Sequence, residues 1–127
     1  MTFNESVLKS KMMIAIKLGL PGFIAFRHED VRSVGIPDLS LTGNGRTSWW
    51  EAKYDDDDGF KSTGIQELTM CRLARHGHAR YIVWENKKNI RRTLIVHPTN
   101  IGTCVPEVFC RGFDMSWLID YMQNTHG

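Results

Sequence analysis

No stretch of the 127-residue sequence approaches the ~20 consecutive apolar residues that span a bilayer, and no basic segment followed by an unbroken apolar run opens it. Neither an anchor nor a targeting leader is therefore predicted. Cysteine is scarce: Cys71, Cys104 and Cys110 cannot all pair with one another, and no CxxC spacing occurs. That argues against a disulfide framework and a zinc module, and it predicts a reducing, cytoplasmic setting. Strong net charge is also lacking, because 16 basic residues against 14 acidic ones leave only +2, so the overall balance does not announce a nucleic-acid binder. The length fits a single domain over 1–127.

The distribution of charge says more than its sum. Four aspartates are consecutive at 55–58, and without them the remaining surface is clearly cationic. A run of like charges is expected to form a solvated loop that repels phosphate rather than a metal site. Lys9, Lys11, Lys17, Arg27, Lys87, Lys88, Arg91 and Arg92 are candidates for phosphate contact.

Residues 5–18 place Val7, Leu8, Ile14, Leu18 and neighbouring methionines at near-helical spacing, and Gly19 and Pro21 stop the pattern, which predicts a first helix. Segments 22–26 and 36–41 are short apolar strands, Gly43-Asn44-Gly45 is a hairpin signal, and 48–54 returns as a third strand. A second helix is expected over 62–76, capped by Ser62-Thr63 and ended by Gly77. Strands 79–84 and 93–96, joined through 85–89, and a closing helix at 116–122 complete the chain. The order helix, three strands, helix, two strands, helix predicts an α/β class fold: a mixed sheet flanked by helices.

The chemistry concentrates in Pro37-Asp38, the hairpin turn, and Trp50-Glu51-Ala52-Lys53. Side chains alternate along a strand, so Glu51 and Lys53 share one face while Trp50, Ala52 and Tyr54 share the other. Hairpin pairing brings Asp38 opposite them. Two adjacent carboxylates bind a hard divalent cation such as Mg²⁺ or Mn²⁺ through oxygen, and a neighbouring ammonium holds a phosphate oxygen or the attacking water. These are the parts that metal-assisted phosphodiester hydrolysis requires.

Pro37-Asp38 followed by Glu51-Ala52-Lys53 on a hairpin resembles the PD-(D/E)XK nuclease superfamily. Gly35 before the Pro-Asp pair, Gln66 on the helix after the lysine, and Gly77 leading into Arg80-Tyr81-Ile82-Val83 make it most similar to the small VRR-NUC and Holliday-junction-resolvase group. The resemblance covers nearly the whole chain and implies a restriction-endonuclease-like core of the kind familiar from phages and mobile elements. It also implies a DNA substrate read by structure, such as branched or junction DNA. It carries over Asp38, Glu51, Lys53 and Gln66 as catalytic, and Asp38, Glu51 and Glu5 as metal ligands. Arg27, Lys87, Lys88, Arg91 and Arg92 are the nucleic-acid-binding candidates. A homodimer is expected from the small size and from spare apolar residues near the end, namely Ile101, Val105, Val108, Phe109, Phe113, Trp117, Leu118 and Met122.

Plainer readings compete at each position. The triplet reads alternatively as an exposed ion pair on an edge hairpin, Glu5 as a first-turn acid complementing the helix dipole, and Gln66 as a solvated helix residue. His76, His78 and Cys71 lack zinc spacing and read as a helix end, and the four tryptophans read as core. A non-catalytic nucleic-acid-binding or assembly module on the same fold is expected to carry a damaged triplet, which here is intact. A sequence-specific restriction or homing nuclease needs base-reading loops for which this length leaves little room.

Overall fold

The computed structural model describes residues 3–28 and 35–126. In chain order it contains α1 (Glu5–Gly19), β1 (Ile24–Arg27), β2 (Leu39–Gly43), β3 (Arg46–Asp55), α2 (Gly64–His76), β4 (His78–Lys87), β5 (Ile90–Val96), a 3-10 turn (Pro98–Asn100), β6 (Val108–Arg111) and α3 (Met115–His126). The six strands form one mixed sheet in sequential order. Only β3 and β4 run parallel, and α2 is the crossover that joins them; every other neighbouring pair is antiparallel.

Turn chemistry accounts for the two tightest hairpins. Asn44 and Gly45 both take positive φ, 53° and 76°, the backbone a two-residue hairpin turn needs. Lys88 and Asn89 do the same at 51° and 63°. That second turn shortens the expected 85–89 connection, and the ladder extends to Lys87 opposite Ile90. The added cross-strand pairs include Glu85 opposite Arg92, whose Nε donates to Glu85 Oε1 at 2.7 Å.

The sheet carries one apolar layer on each face. On the first face, α1 and α3 pack Leu8, Met12, Ile16, Leu118 and Met122 against Leu39, Leu41, Trp50, Ala52, Ile82, Trp84 and Ile95. Asn4 caps α1, its Oδ1 accepting from the Val7 amide at 2.9 Å. On the second face, Met70 of α2 and Ile101 pack against Ala79, Tyr81, Val83, Leu94 and Val96.

Four details depart from the sequence expectations. A sixth strand, β6, pairs with β5 through Leu94–Phe109 and its neighbours. The buried stripe of α1 is Leu8, Met12 and Ile16, while Ile14 and Leu18 are exposed; in α2 Met70 is buried while Ile65 and Leu68 are exposed. Ile101, Leu118 and Met122 belong to the core, so the spare apolar surface near the end narrows to Val105, Val108 and Phe109. The aspartate run is solvated only in part: Asp57 and Asp58 are exposed in a turn, where Asp57 Oδ1 accepts from the Lys88 amide at 3.0 Å, but Asp55 is buried at the end of β3 and pairs with Lys87 at 3.3 Å. Among the described residues no helix is long and apolar enough to cross a membrane, and the three cysteines are free.

Candidate active site

Strand register assembles the site. Arg27 pairs with Leu39 and Leu39 with Trp50, so the next row across the sheet is His28, Asp38, Glu51 and Tyr81. Their side chains share the face covered by α2, because Trp50 and Ala52 point into the opposite layer. Asp38 lies just before β2, where the chain is still bending.

Two hydrogen bonds lock the carboxylates together. The Asp38 amide donates to Glu51 Oε1 at 2.9 Å, and the Ala52 amide donates to Asp38 Oδ2 at 2.9 Å. Lys53 Nζ stands 3.8 Å from Glu51 Oε2. From α1, Lys9 Nζ donates to Asp38 Oδ1 at 2.8 Å and lies 3.3 Å from Glu5 Oε2. The adjacent acids Asp38 and Glu51 are thus flanked by Lys9 on one side and Lys53 on the other, with Glu5 beyond Lys9.

Burial separates this cluster from an ordinary surface ion pair. Glu51 is 2% exposed, Lys53 9% and Asp55 3%, and charges this deep are costly unless a structure needs them there. Burial, reinforced by the charge of Asp38 and a hydrogen bond to its side chain, pushes the Glu51 carboxyl up to about 8 against the opposing pull of Lys53 and the Asp38 amide. Burial pulls the Lys9 ammonium down, but the hydrogen bond and charge of Asp38, with those of Glu5, outweigh it and the net shift is upward. A carboxyl shifted this far by burial and a specific charged neighbour is a candidate functional group.

Among the solved structures to which the chain is similar is a Holliday junction resolvase. That protein, Hjc of the archaeal hyperthermophile Archaeoglobus fulgidus, matches with a TM-score of 0.48 and 18% identity over 71% of this chain and 75% of that chain. No family model matches the sequence, and no curated protein matches it.

The donor set fits a hard divalent cation. Asp38 and Glu51 offer adjacent carboxylate oxygens, and Mg²⁺ is commonly held by one or two carboxylates with water and substrate oxygens completing its shell. Among the described residues no three His, Cys, Asp or Glu side chains converge tightly enough to form a cage by themselves. Glu5 reaches the pair through Lys9 rather than directly.

Gln66 sits on the first turn of α2, over the same face. Its amide nitrogen is engaged by the Thr63 cap at 3.1 Å, while its side-chain Oε1 is buried without a hydrogen-bond partner among the described residues. Tyr81, opposite Glu51, is fully buried. Burial pushes its phenol up to about 12 against the influence of the Ser62 hydroxyl. Ser62 is close enough to act electrostatically, yet neither hydroxyl reaches hydrogen-bonding geometry. Buried polar atoms are normally hydrogen-bonded, so Ser62, Gln66 and Tyr81 leave unused hydrogen-bonding capacity on this face.

The outlying cations divide between the two faces. Lys87 and Arg92 lie on the face of Lys53, since Lys53 pairs with Val83 and Asp55, Glu85 and Arg92 continue the next row. Both already hold acids, Asp55 and Glu85. Arg91 turns to the opposite face, its guanidinium 4.7 Å from the Phe3 ring centroid and 5.9 Å from that of Phe113. Arg27 shares the register row of Leu39, again on that side, and Lys88 occupies the turn between β4 and β5. The His78 ring lies tilted against Trp50, with centroids 5.2 Å apart, and Trp50 and Trp84 are core, as read from the sequence.

Lys9 was legible only as a surface cation. Its spacing of four from Glu5, the distance of helical neighbours, was the available signal. Its contact with Asp38 depends on tertiary placement.

Proposed function

We propose that the chain is a divalent-metal-dependent DNA endonuclease. The observation that supports this most directly is the convergence of Asp38, Glu51 and Lys53 on one buried stretch of the β2–β3 ladder. Asp38 and Glu51 would hold the ion, and Lys53 would face the phosphate. Bound Mg²⁺ or Mn²⁺ supplies Lewis acidity at the phosphate and lowers the pKa of a coordinated water.

The residues contribute in separable ways. The two backbone donors, the Asp38 and Ala52 amides, fix both carboxylates before any ligand arrives, so little reorganisation is left for the reaction itself. Lys53 is a basic side chain only 9% exposed beside the two carboxylates, where it would stabilise the charge that develops on a phosphate oxygen as water attacks and a P–O bond breaks. Gln66 Oε1 is available to orient that water. Preference for branched DNA rests on the resemblance carried by Gly35 and Gln66. A homodimer would cover Val105, Val108 and Phe109 beside the edge strand β6.

The test is nicking of supercoiled plasmid and of branched, flapped, single-stranded and linear DNA in Mg²⁺ or Mn²⁺. Asp38→Asn, Glu51→Gln and Lys53→Met should each lower the rate by about 10²-fold or more, with the fold retained. Undiminished cleavage in EDTA, or in any one variant, would overturn the assignment.

A further inference from the structure

Lys9 lies on α1, the helix that covers the opposite face of the sheet, one residue after the buried Leu8. Its ammonium nonetheless reaches the end of β2 and sits between two carboxylates, 2.8 Å from Asp38 Oδ1 and 3.3 Å from Glu5 Oε2. The side chain is 16% exposed, too enclosed for an incidental surface pair, and burying an ammonium this far is unfavourable unless acids surround it.

The oxygen that Lys9 holds belongs to the residue read above as a metal ligand. Asp38 Oδ2 is committed to the Ala52 amide and Oδ1 to Lys9. A divalent cation approaching Asp38 through Oδ1 therefore meets an ammonium already in place, and the two like charges repel across the short distance one oxygen leaves between them. We propose that Lys9 is the internal counterion of the site: it neutralises Asp38 and Glu5 in the metal-free protein and must leave Asp38 when a divalent cation binds. This inference rests on the reading of Asp38 and Glu51 as ligands.

Two consequences follow from the geometry. Lys9 offsets the negative charge of Asp38 and Glu5 without metal, so these two acids share one cation. It also sets a threshold for loading, because part of the binding free energy goes to displacing it.

Direct titration of Mn²⁺ into the full chain, by calorimetry and by the loss of free Mn²⁺ signal in electron paramagnetic resonance, reads this without nucleic acid or cleavage. Lys9→Met should bind Mn²⁺ about tenfold more tightly than wild type, the size of effect expected from groups around a metal's immediate ligands. Lys9→Arg, which keeps the charge, should stay within about threefold of wild type. Lys11→Met removes the same charge from the same helix without touching Asp38 and should leave the affinity unchanged. Should Lys9→Met fail to fold, Lys9→Gln carries the same expectation.

Equal Mn²⁺ affinity in wild type and Lys9→Met, weaker affinity in Lys9→Met, or equal tightening in Lys11→Met would each overturn the counterion role while leaving the metal site standing. Absence of Mn²⁺ binding in every variant would instead overturn the reading of Asp38 and Glu51 as ligands.

Discussion

Asp38 and Glu51 hold each other across the β2–β3 ladder: the amide of Asp38 donates to the Glu51 carboxylate, and the amide that follows Glu51, that of Ala52, donates to Asp38. Each acid is fixed by the backbone of the other's strand. Neither can rotate away without abandoning a part-buried N–H, which would cost on the order of 1 kcal/mol. The pair is thus positioned before any ligand arrives, at the expense of burying Glu51 beside a like charge; burial first, and the charge of Asp38 second, raise the Glu51 carboxyl.

That expense is visible in stability against pH. The ordinary value for Glu51 is 4.5 and the folded value is about 8. Below the lower value both folded and unfolded chains hold the proton, and the contribution to stability is complete. Between the two, the folded state holds a proton that the unfolded chain has released, so stability falls as pH rises. In EDTA, the urea midpoint of wild type should drop between about pH 5 and about pH 8 more steeply than that of Glu51→Gln, which cannot titrate. Parallel profiles for the two proteins would contradict the buried, protonated carboxyl.

Gly35 fastens the segment before Asp38 to α2. It has φ +93°, and a Cβ there would stand 2.8 Å from Ile65 Cγ2 and 3.1 Å from Thr69 Oγ1. Gly35→Ala should destabilise the fold by about 1–3 kcal/mol. Adding Ile65→Ala relieves the steric part but not the backbone part, so the double variant should recover only a portion, as thermal unfolding would show. Full recovery would mean that the positive φ carries no strain.

Ca²⁺ should support DNA binding without turnover. It accepts the same carboxylate oxygens but tolerates looser geometry and activates water less well. A gel-shift series in Ca²⁺ beside cleavage in Mg²⁺ separates the two functions, and comparable cleavage in both ions would count against the proposed chemistry.

Self-association should depend on the end of the chain nearest β6. Val105 and Phe109 are more than half exposed and Val108 partly so. Sedimentation at micromolar concentration should give a species near twice 14.6 kDa, and Phe109→Asp should shift it to the monomer. A wild-type protein that sediments only as a monomer removes the dimer from the proposal.

Local pattern alone determined much of this molecule. Period-two alternation put Glu51 and Lys53 on one face, Asn44-Gly45 closed the hairpin that carries Asp38 to them, and Thr63 marked the start of α2; each depends on residues within a few positions of one another. The sixth strand escaped notice because β6 has only four residues and exists through its pairing with β5. Which face of α1 is buried, Met12 and Ile16 rather than Ile14 and Leu18, was decided by the sheet beneath it. The same holds for Lys9, whose neighbour Asp38 lies 29 residues away, and for Asp55, which reads as part of a repulsive run until β4 brings Lys87 beside it. Contacts between distant segments follow from how the layers stack, and a single sequence records only the preferences that such stacking must satisfy.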